Sequence, residues 1–197
     1  MSRLINMDDN KRILNIFKET GALLEGHFIL SSGQHSNRYF QCAKVLQYPE
    51  YLTAFSIMIA DQFEKTRPDV VIAPAIGGIV IGYEIGRILN IETIFAERVD
   101  GKFNLRRGFE INKGKKILII EDVITTGKSS LECSNLVNDA QAKIIGYSCI
   151  IDRSNEKPLI DKEIISQVKI QITTYNKDDL PKHLKDSKAI KPGSRKL

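Results

Sequence analysis

Three cysteines and three histidines, with no C-x-x-C spacing, leave this chain short of material for a metal cage or a disulfide framework. Cys42, Cys133 and Cys149 are odd in number and read as reduced thiols of a cytoplasmic protein, while His27, His35 and His183 form no ligand cluster along the sequence. Long apolar runs are missing, as is a signal-peptide pattern, so no membrane partner is expected. Internal repeats and low-complexity tracts are missing too. The net charge is +5, but it is unevenly placed. From Lys182 onward, Lys182, Lys185, Lys188, Lys191, Arg195 and Lys196 face the single acid Asp186, so the rest of the chain is neutral. A basic tail at 182–197 with Pro192 and Gly193 and no interleaved aromatics is expected to be a solvated or loosely docked terminus, with no nucleic-acid partner.

What is present suffices for one domain over residues 1–197, since 42% hydrophobic content at this length buries a core without staples. Apolar residues recur at helical spacing after Asp8, with Ile13, Ile16 and Phe17 on one face as far as Gly21. Short extended pieces follow through Val45. Pro49 opens a helix carrying Leu52, Phe55, Ile59 and Phe63, and another over Ile79–Leu89 turns Ile81, Ile85 and Ile88 inward. Strands are predicted at Val70–Ala73, Thr93–Ala96, Lys116–Glu121 and Lys143–Ile151, with a late one near Lys169–Tyr175. The alternation is that of an α/β fold, a central parallel sheet flanked by helices, with residues 1–48 forming a small hood.

The most informative stretch is KILIIEDVITTGKS, Lys116 to Ser129. Ile117–Ile120 is a strand apolar on both faces, and Glu121 and Asp122 emerge at its carboxyl end, the edge at which open α/β sheets bind ligands. Val123 and Ile124 lead into Thr125, Thr126, Gly127, Lys128 and Ser129, which bring hydroxyls and backbone N–H groups to a helix start, where an anion is stabilised. Helix capping alone needs fewer acids than this, and the spacing is not that of a Walker A loop. A second turn, Pro74 to Gly78, also joins a strand to a helix; alone, Gly77 and Gly78 are as readily structural as anion-binding. A third stretch, Glu97 to Gly108, carries Arg98, Lys102, Arg106 and Arg107, and taken alone reads most simply as a solvated hairpin.

Together these motifs resemble the type I phosphoribosyltransferases, and within them the branch that uses orotate. The Lys116–Ser129 stretch resembles that family's signature for phosphoribosyl diphosphate (PRPP). GHFILSSGQHSNRYFQCA, Gly26 to Ala43, resembles the hood segment on the orotate side, and IIDRS places Arg153 where the family has its orotate-contacting arginine. The likeness spans Ile13 to about Tyr175. It implies transfer of a phosphoribosyl group from PRPP to orotate with Mg²⁺ as cofactor, in a homodimer with a shared active site. By this resemblance Glu121 and Asp122 hold the ribose, Thr125–Ser129 the 5′-phosphate, Gly77 and Gly78 the pyrophosphate, and Thr125, Arg153, Tyr39 and Phe40 the orotate. The cationic loop closes over the diphosphate. The chain departs from many relatives in having Gly77 where they carry a lysine, and no histidine in the loop, so Lys102 is the expected catalytic cation and Arg98 a ground-state contact. Two other readings stay open: a phosphoribosyltransferase for another base, which would lack the Gly26–Ala43 segment and Arg153, and a PRPP-sensing regulator. The latter needs a DNA-binding module, for which the roughly 25 residues ahead of His27 are too few.

Overall fold

The computed structural model describes residues 10–30, 32–154, 158–160 and 162–192. Helix α1, Asn10–Glu19, buries Ile13, Ile16 and Phe17 and ends at Gly21, whose φ of +63° lets the chain turn back. Strands β1, Leu23–Ile29, and β2, His35–Phe40, pair antiparallel. The residues before Pro49 that the sequence pattern makes extended include a short helix, α2, Ala43–Leu46, which buries Val45 and Leu46. Then come α3, Pro49–Gln62; β3, Val70–Pro74; α4, Gly77–Leu89; β4, Glu92–Val99; and β5, Lys102–Leu105. The second half runs β6, Lys116–Ile124; α5, Lys128–Asp139; β7, Lys143–Asp152; β8, Ile164–Lys169; β9, Thr174–Tyr175; and α6, Lys182–Lys185.

The larger sheet has six strands in the order β5-β4-β3-β6-β7-β8, parallel throughout except for β5 at the edge. Strand β6 shows why it holds. Leu118 and Ile120 join Phe55, Ile59, Ile81 and Ile85 of α3 and α4, with Phe63 just past α3, on one face, while Ile117 and Ile119 meet Cys133 and Val137 of α5 on the other. Each such side chain contributes about 1.5–3 kcal/mol of burial, so a one-residue slip, which would exchange the faces of the whole strand, is strongly disfavoured. That fixed register sets where the residues after Ile120 arrive.

Several elements differ from the sequence pattern. The late strand expected near Lys169–Tyr175 is two pieces: β8 ends at Lys169, and β9 leaves the large sheet to pair with β2, making a three-stranded hood sheet β1-β2-β9. The helix placed at Ile79 starts at Gly77, and Ile88 is only half-buried. The carboxyl-terminal segment is docked. Ile29 N–H donates to the Ile190 carbonyl and Ile190 N–H to the His27 carbonyl, both at 2.8 Å, with Leu184 buried beneath. Asp8, Gly193, Arg195 and Lys196 lie outside the described residues.

Candidate functional site

Three strand ends, those of β3, β6 and β7, meet at the carboxyl edge of the large sheet, and the hood lies against them through Cys42, whose thiol reaches the Asp122 carbonyl at 3.8 Å. Strand β6 runs on to Ile124, past the point where the sequence pattern ends it, so Glu121 and Asp122 are strand residues and face opposite sides of the sheet. Glu121 turns toward α5 and accepts a hydrogen bond from the Ser130 hydroxyl. Asp122 turns toward the amino end of α4, where its Oδ1 accepts the Val123 N–H at 2.9 Å. Burial there pushes the Asp122 carboxyl above the ordinary carboxylate range, partly offset by that backbone bond.

The turn opposite explains its own glycines. A Cβ at Gly77 would stand 2.6 Å from Asp122 Oδ1 and 2.7 Å from Oδ2, and one at Gly78 would stand 2.7 Å from the Ile120 carbonyl. No side chain fits at 77 while Asp122 stays where it is, which is the physical reason for a glycine at that position. The turn is therefore pressed onto the end of β6. Ala75 N–H donates to the Ala96 carbonyl at 2.8 Å, fixing its other side.

Beyond β6, Thr125 and Thr126 are exposed, and the Thr126 hydroxyl accepts the Lys128 N–H at 3.3 Å. Gly127 starts α5 at φ +74°, and a Cβ there would meet Ile160 Cγ1 at 2.8 Å, so both backbone and space demand glycine. The N-cap Gly127 has no side chain to cap α5, no acid sits in its first turn, and Thr126 takes the Lys128 N–H from just outside. The opening N–H groups and the helix dipole thus face outward from a turn lined by hydroxyls, a suitable seat for a phosphate. Within the stretch that resembles the PRPP signature, Ile124 is fully buried beside Cys133, leaving its backbone for a ligand, and Val123 is half-buried against the α3/α4 core.

Arg153 follows β7 and donates its N–H to the Ile124 carbonyl at 2.8 Å. Its Nε is buried and has no hydrogen-bond partner among the described residues. Burial lowers the affinity of the guanidinium for its proton, with Tyr39 and Cys42 acting in the opposite sense. A half-buried arginine with a buried, unpartnered Nε beside an open strand edge has the chemistry to pair with a carboxylate. Tyr39 lies close enough to act on it, but the Phe40 side chain does not: it packs edge-on against Phe17 at 5.6 Å in the core, leaving only its backbone for ligand contact.

The cationic loop is a β-hairpin. Val99 pairs with Lys102, and the two residues between, Asp100 and Gly101, have φ of +51° and +80°, the positive pair that a two-residue hairpin turn requires. Arg98 is held: its guanidinium lies 4.1 Å over the Phe103 ring and donates to Glu132 of α5 at 2.7 Å and to the Gly101 carbonyl at 2.6 Å. Arg107 makes a two-point pair with Glu97 at 2.9 and 3.0 Å. Lys102 and Arg106 are exposed and make no ion pair among the described residues. Lys102 therefore stands uncommitted at the hairpin tip, whereas Arg98 must exchange Glu132 for any ligand it meets.

One feature escapes a reading of the sequence: Ser130 is invisible as a partner of Glu121 unless one notes that the first turn of a helix backs onto the strand preceding it. The hairpin expected over Glu97–Gly108 is present, with Asp100-Gly101 as its turn.

The family model of the phosphoribosyl transferase domain matches residues 44–184. An orotate phosphoribosyltransferase of Chlorobium phaeobacteroides is 50% identical over 183 residues, covering 93% of this chain and 95% of that protein. Another from Caldanaerobacter subterraneus subsp. tengcongensis is 46% identical over 189 residues, 96% of this chain and 100% of its own. Among solved structures, the orotate phosphoribosyltransferase from Aeropyrum pernix superimposes with a TM-score of 0.70 at 20% identity, covering 80% of this chain and 93% of that one. The adenine phosphoribosyltransferase from Leishmania donovani gives 0.61 at 18% identity over 82% of this chain and 81% of the other, a likeness of fold.

Proposed function

This chain belongs to the phosphoribosyltransferase family, and we propose that it is the orotate-using member: it transfers the phosphoribosyl group of PRPP to orotate, giving orotidine 5′-monophosphate and pyrophosphate for pyrimidine synthesis. The observation that carries this is near-full-length similarity to orotate phosphoribosyltransferases, at an identity well above that needed for a shared fold alone.

The reaction demands stabilisation at two ends. As the anomeric C–O bond of PRPP breaks, positive charge develops on the ribose and negative charge on the departing diphosphate, while orotate N1 forms the new bond. Asp122 and Glu121 lie at the ribose end, where negative charge favours an oxocarbenium-like carbon. Thr125–Ser129 and the acid-free start of α5 hold the 5′-phosphate, so that attack becomes effectively intramolecular. Backbone groups of the Gly77–Gly78 turn receive the diphosphate, and Lys102, swung in on its hairpin, neutralises it in place of a side chain at position 77, where glycine leaves room for the Asp122 carboxylate. Arg153 pairs with the orotate carboxylate beside Tyr39.

Phosphoribosyltransferases in general use Mg²⁺ with PRPP. Among the described residues no three His, Cys, Asp or Glu side chains converge, a donor set that fits an ion held largely by substrate oxygens and water, with Asp122 and Glu121 the carboxylates nearest to it. When bound, the ion offsets charge on the diphosphate.

The working unit is a homodimer with a shared site. Ile76, Val80 and Tyr83 follow one another at helical spacing beside the pyrophosphate turn and are 74%, 47% and 66% exposed, an apolar stripe that a second copy of this chain would cover. Three buried free cysteines support a reducing compartment, the cytoplasm. No helix among the described residues is long and apolar enough to cross a membrane.

The test is turnover by purified protein with PRPP, Mg²⁺ and a panel of bases. Orotate is expected to be consumed, and adenine, hypoxanthine, guanine and uracil not. Comparable turnover of any of those four bases would overturn the assignment.

A further inference from the structure

We propose that Ser130 is a positioning residue for this reaction, its hydroxyl fixing the Glu121 carboxylate at the ribose end of the site. The inference rests on the function proposed above, in which Glu121 faces the ribose of PRPP.

Ser130 is fully buried in the first turn of α5, and a buried hydroxyl requires a partner. A helical serine ordinarily finds one by bonding back to the carbonyl a turn earlier. Ser130 instead donates to Glu121 Oε1, across the gap between the helix and the end of β6. Ser134, one turn on, does make the ordinary bond, donating to the Ser130 carbonyl at 2.7 Å. Its Oγ also lies 2.7 Å from the Tyr147 hydroxyl. Since the single Ser134 proton is already committed to the carbonyl, Tyr147 must be the donor of that pair. A directed chain therefore runs from Tyr147 on β7, through Ser134 and the Ser130 backbone, while the Ser130 side chain continues it to Glu121.

Both ends of the chain are anchored in the sheet. Tyr147 is a buried strand residue paired in register with Ile119, two residues before Glu121 on the same strand. The helix turn is thereby clamped to the strand pair whose end it serves. A glutamate side chain has three rotatable torsions, and a carboxylate ordered before substrate arrives spares the reaction that cost at the moment of binding. Asp122 is shorter and is fixed by the Val123 N–H on the opposite face. The two acids are thus oriented by separate devices, one backbone and one side chain, and only the second can be removed by substitution.

Ser130→Ala, Glu121→Ala and the double variant form a cycle that decides the matter, read by kcat, by KM for PRPP and for orotate, and by calorimetric affinity for PRPP with Mg²⁺. Loss of a hydrogen bond to a charged group predicts that Ser130→Ala lowers kcat/KM for PRPP about tenfold or more, with the KM for orotate unchanged. In the Glu121→Ala background the same change should have no further effect, because the group it acts through is gone. Normal kinetics in Ser130→Ala, or an effect of equal size in both backgrounds, would overturn the proposal and make Ser130 a packing residue of α5. A wild-type protein inactive on orotate that still binds PRPP would sink the assigned function alone, and the cycle in PRPP affinity would still judge Ser130. No binding of PRPP would overturn both.

Discussion

Asp122 carries two opposed duties. Its folded-state carboxyl is raised by burial, so the fold disfavours the charged form that the proposed chemistry uses. The linkage sign follows: stability from this group is fully present below its unfolded value near 4 and is lost as pH rises through the raised folded value. Asp122→Asn should therefore melt higher than wild type at neutral pH, with the difference closing as the pH is lowered toward about 4. The same change should lower turnover by roughly 10²-fold. Melting curves across pH beside kinetics check both; a variant that turns over normally would confine Asp122 to structure. Arg153→Ala should raise the KM for orotate at least about tenfold and leave that for PRPP unchanged, since a charge-assisted pair to the base alone is removed. Joint movement of both constants would mean that Arg153 holds the fold. At this scale the sequence names residue types but not directions: Glu121 and Asp122 are adjacent in print and point to opposite faces because β6 runs through both, and Phe40, expected to offer its backbone to the base, turns its ring into the core.

Among the elements, those with continuous apolar runs were legible. The start of β6, α3 and the start of α5 stand where hydrophobic pattern and turn chemistry put them, since both faces of a central strand must be apolar whatever surrounds it, while the end of β6 runs on from Glu121 to Ile124. The hairpin β4–β5 stands where the charged, glycine-bearing stretch suggested a solvated hairpin, with Asp100-Gly101 at its turn, but it also buries Phe103, which the charge pattern hid. Two glycines separate backbone demand from space. Gly101→Ala meets nothing within 4 Å and bears only the positive-φ cost, about 1 kcal/mol, whereas Gly127→Ala bears that and a 2.8 Å approach to Ile160, about 2–4 kcal/mol in all. Chemical denaturation of the two variants measures the gap, and equal losses would show that Ile160 yields without cost. Gly127→Ala should also weaken PRPP binding, as the phosphate turn moves with it.

The whole molecule raises the question of where Lys102 acts. If hairpins reach across a two-fold dimer, Lys102→Ala and Asp122→Ala, each nearly inactive, should complement when unfolded and refolded together. Each mixed dimer has one intact site and one carrying both lesions, so random pairing recovers about a quarter of wild-type activity. With subunit exchange confirmed by tagging, no recovery would assign each hairpin to its own subunit. Assembly of this kind is not legible in a single chain, and neither was the third strand of the hood, because Thr174–Tyr175 pairs with His35–Ser36 from the far end of the sequence.

That long-range pairing has a consequence in time. The bond between His27 and Ser187 joins residues 160 apart, and Ile190 closes the same edge. On a ribosome adding about 5–20 residues per second, the first two hood strands wait roughly seven to thirty seconds for the segment that completes them. Until then they are a two-stranded ribbon, which is marginal alone. The nascent chain thus makes β3 and β6, the strands that carry the proposed seat for PRPP, about fifty residues before the strand that completes the proposed cover for the base. Nascent chains stalled short of residue 174 would have the sugar-phosphate half of the enzyme without the half that chooses the acceptor.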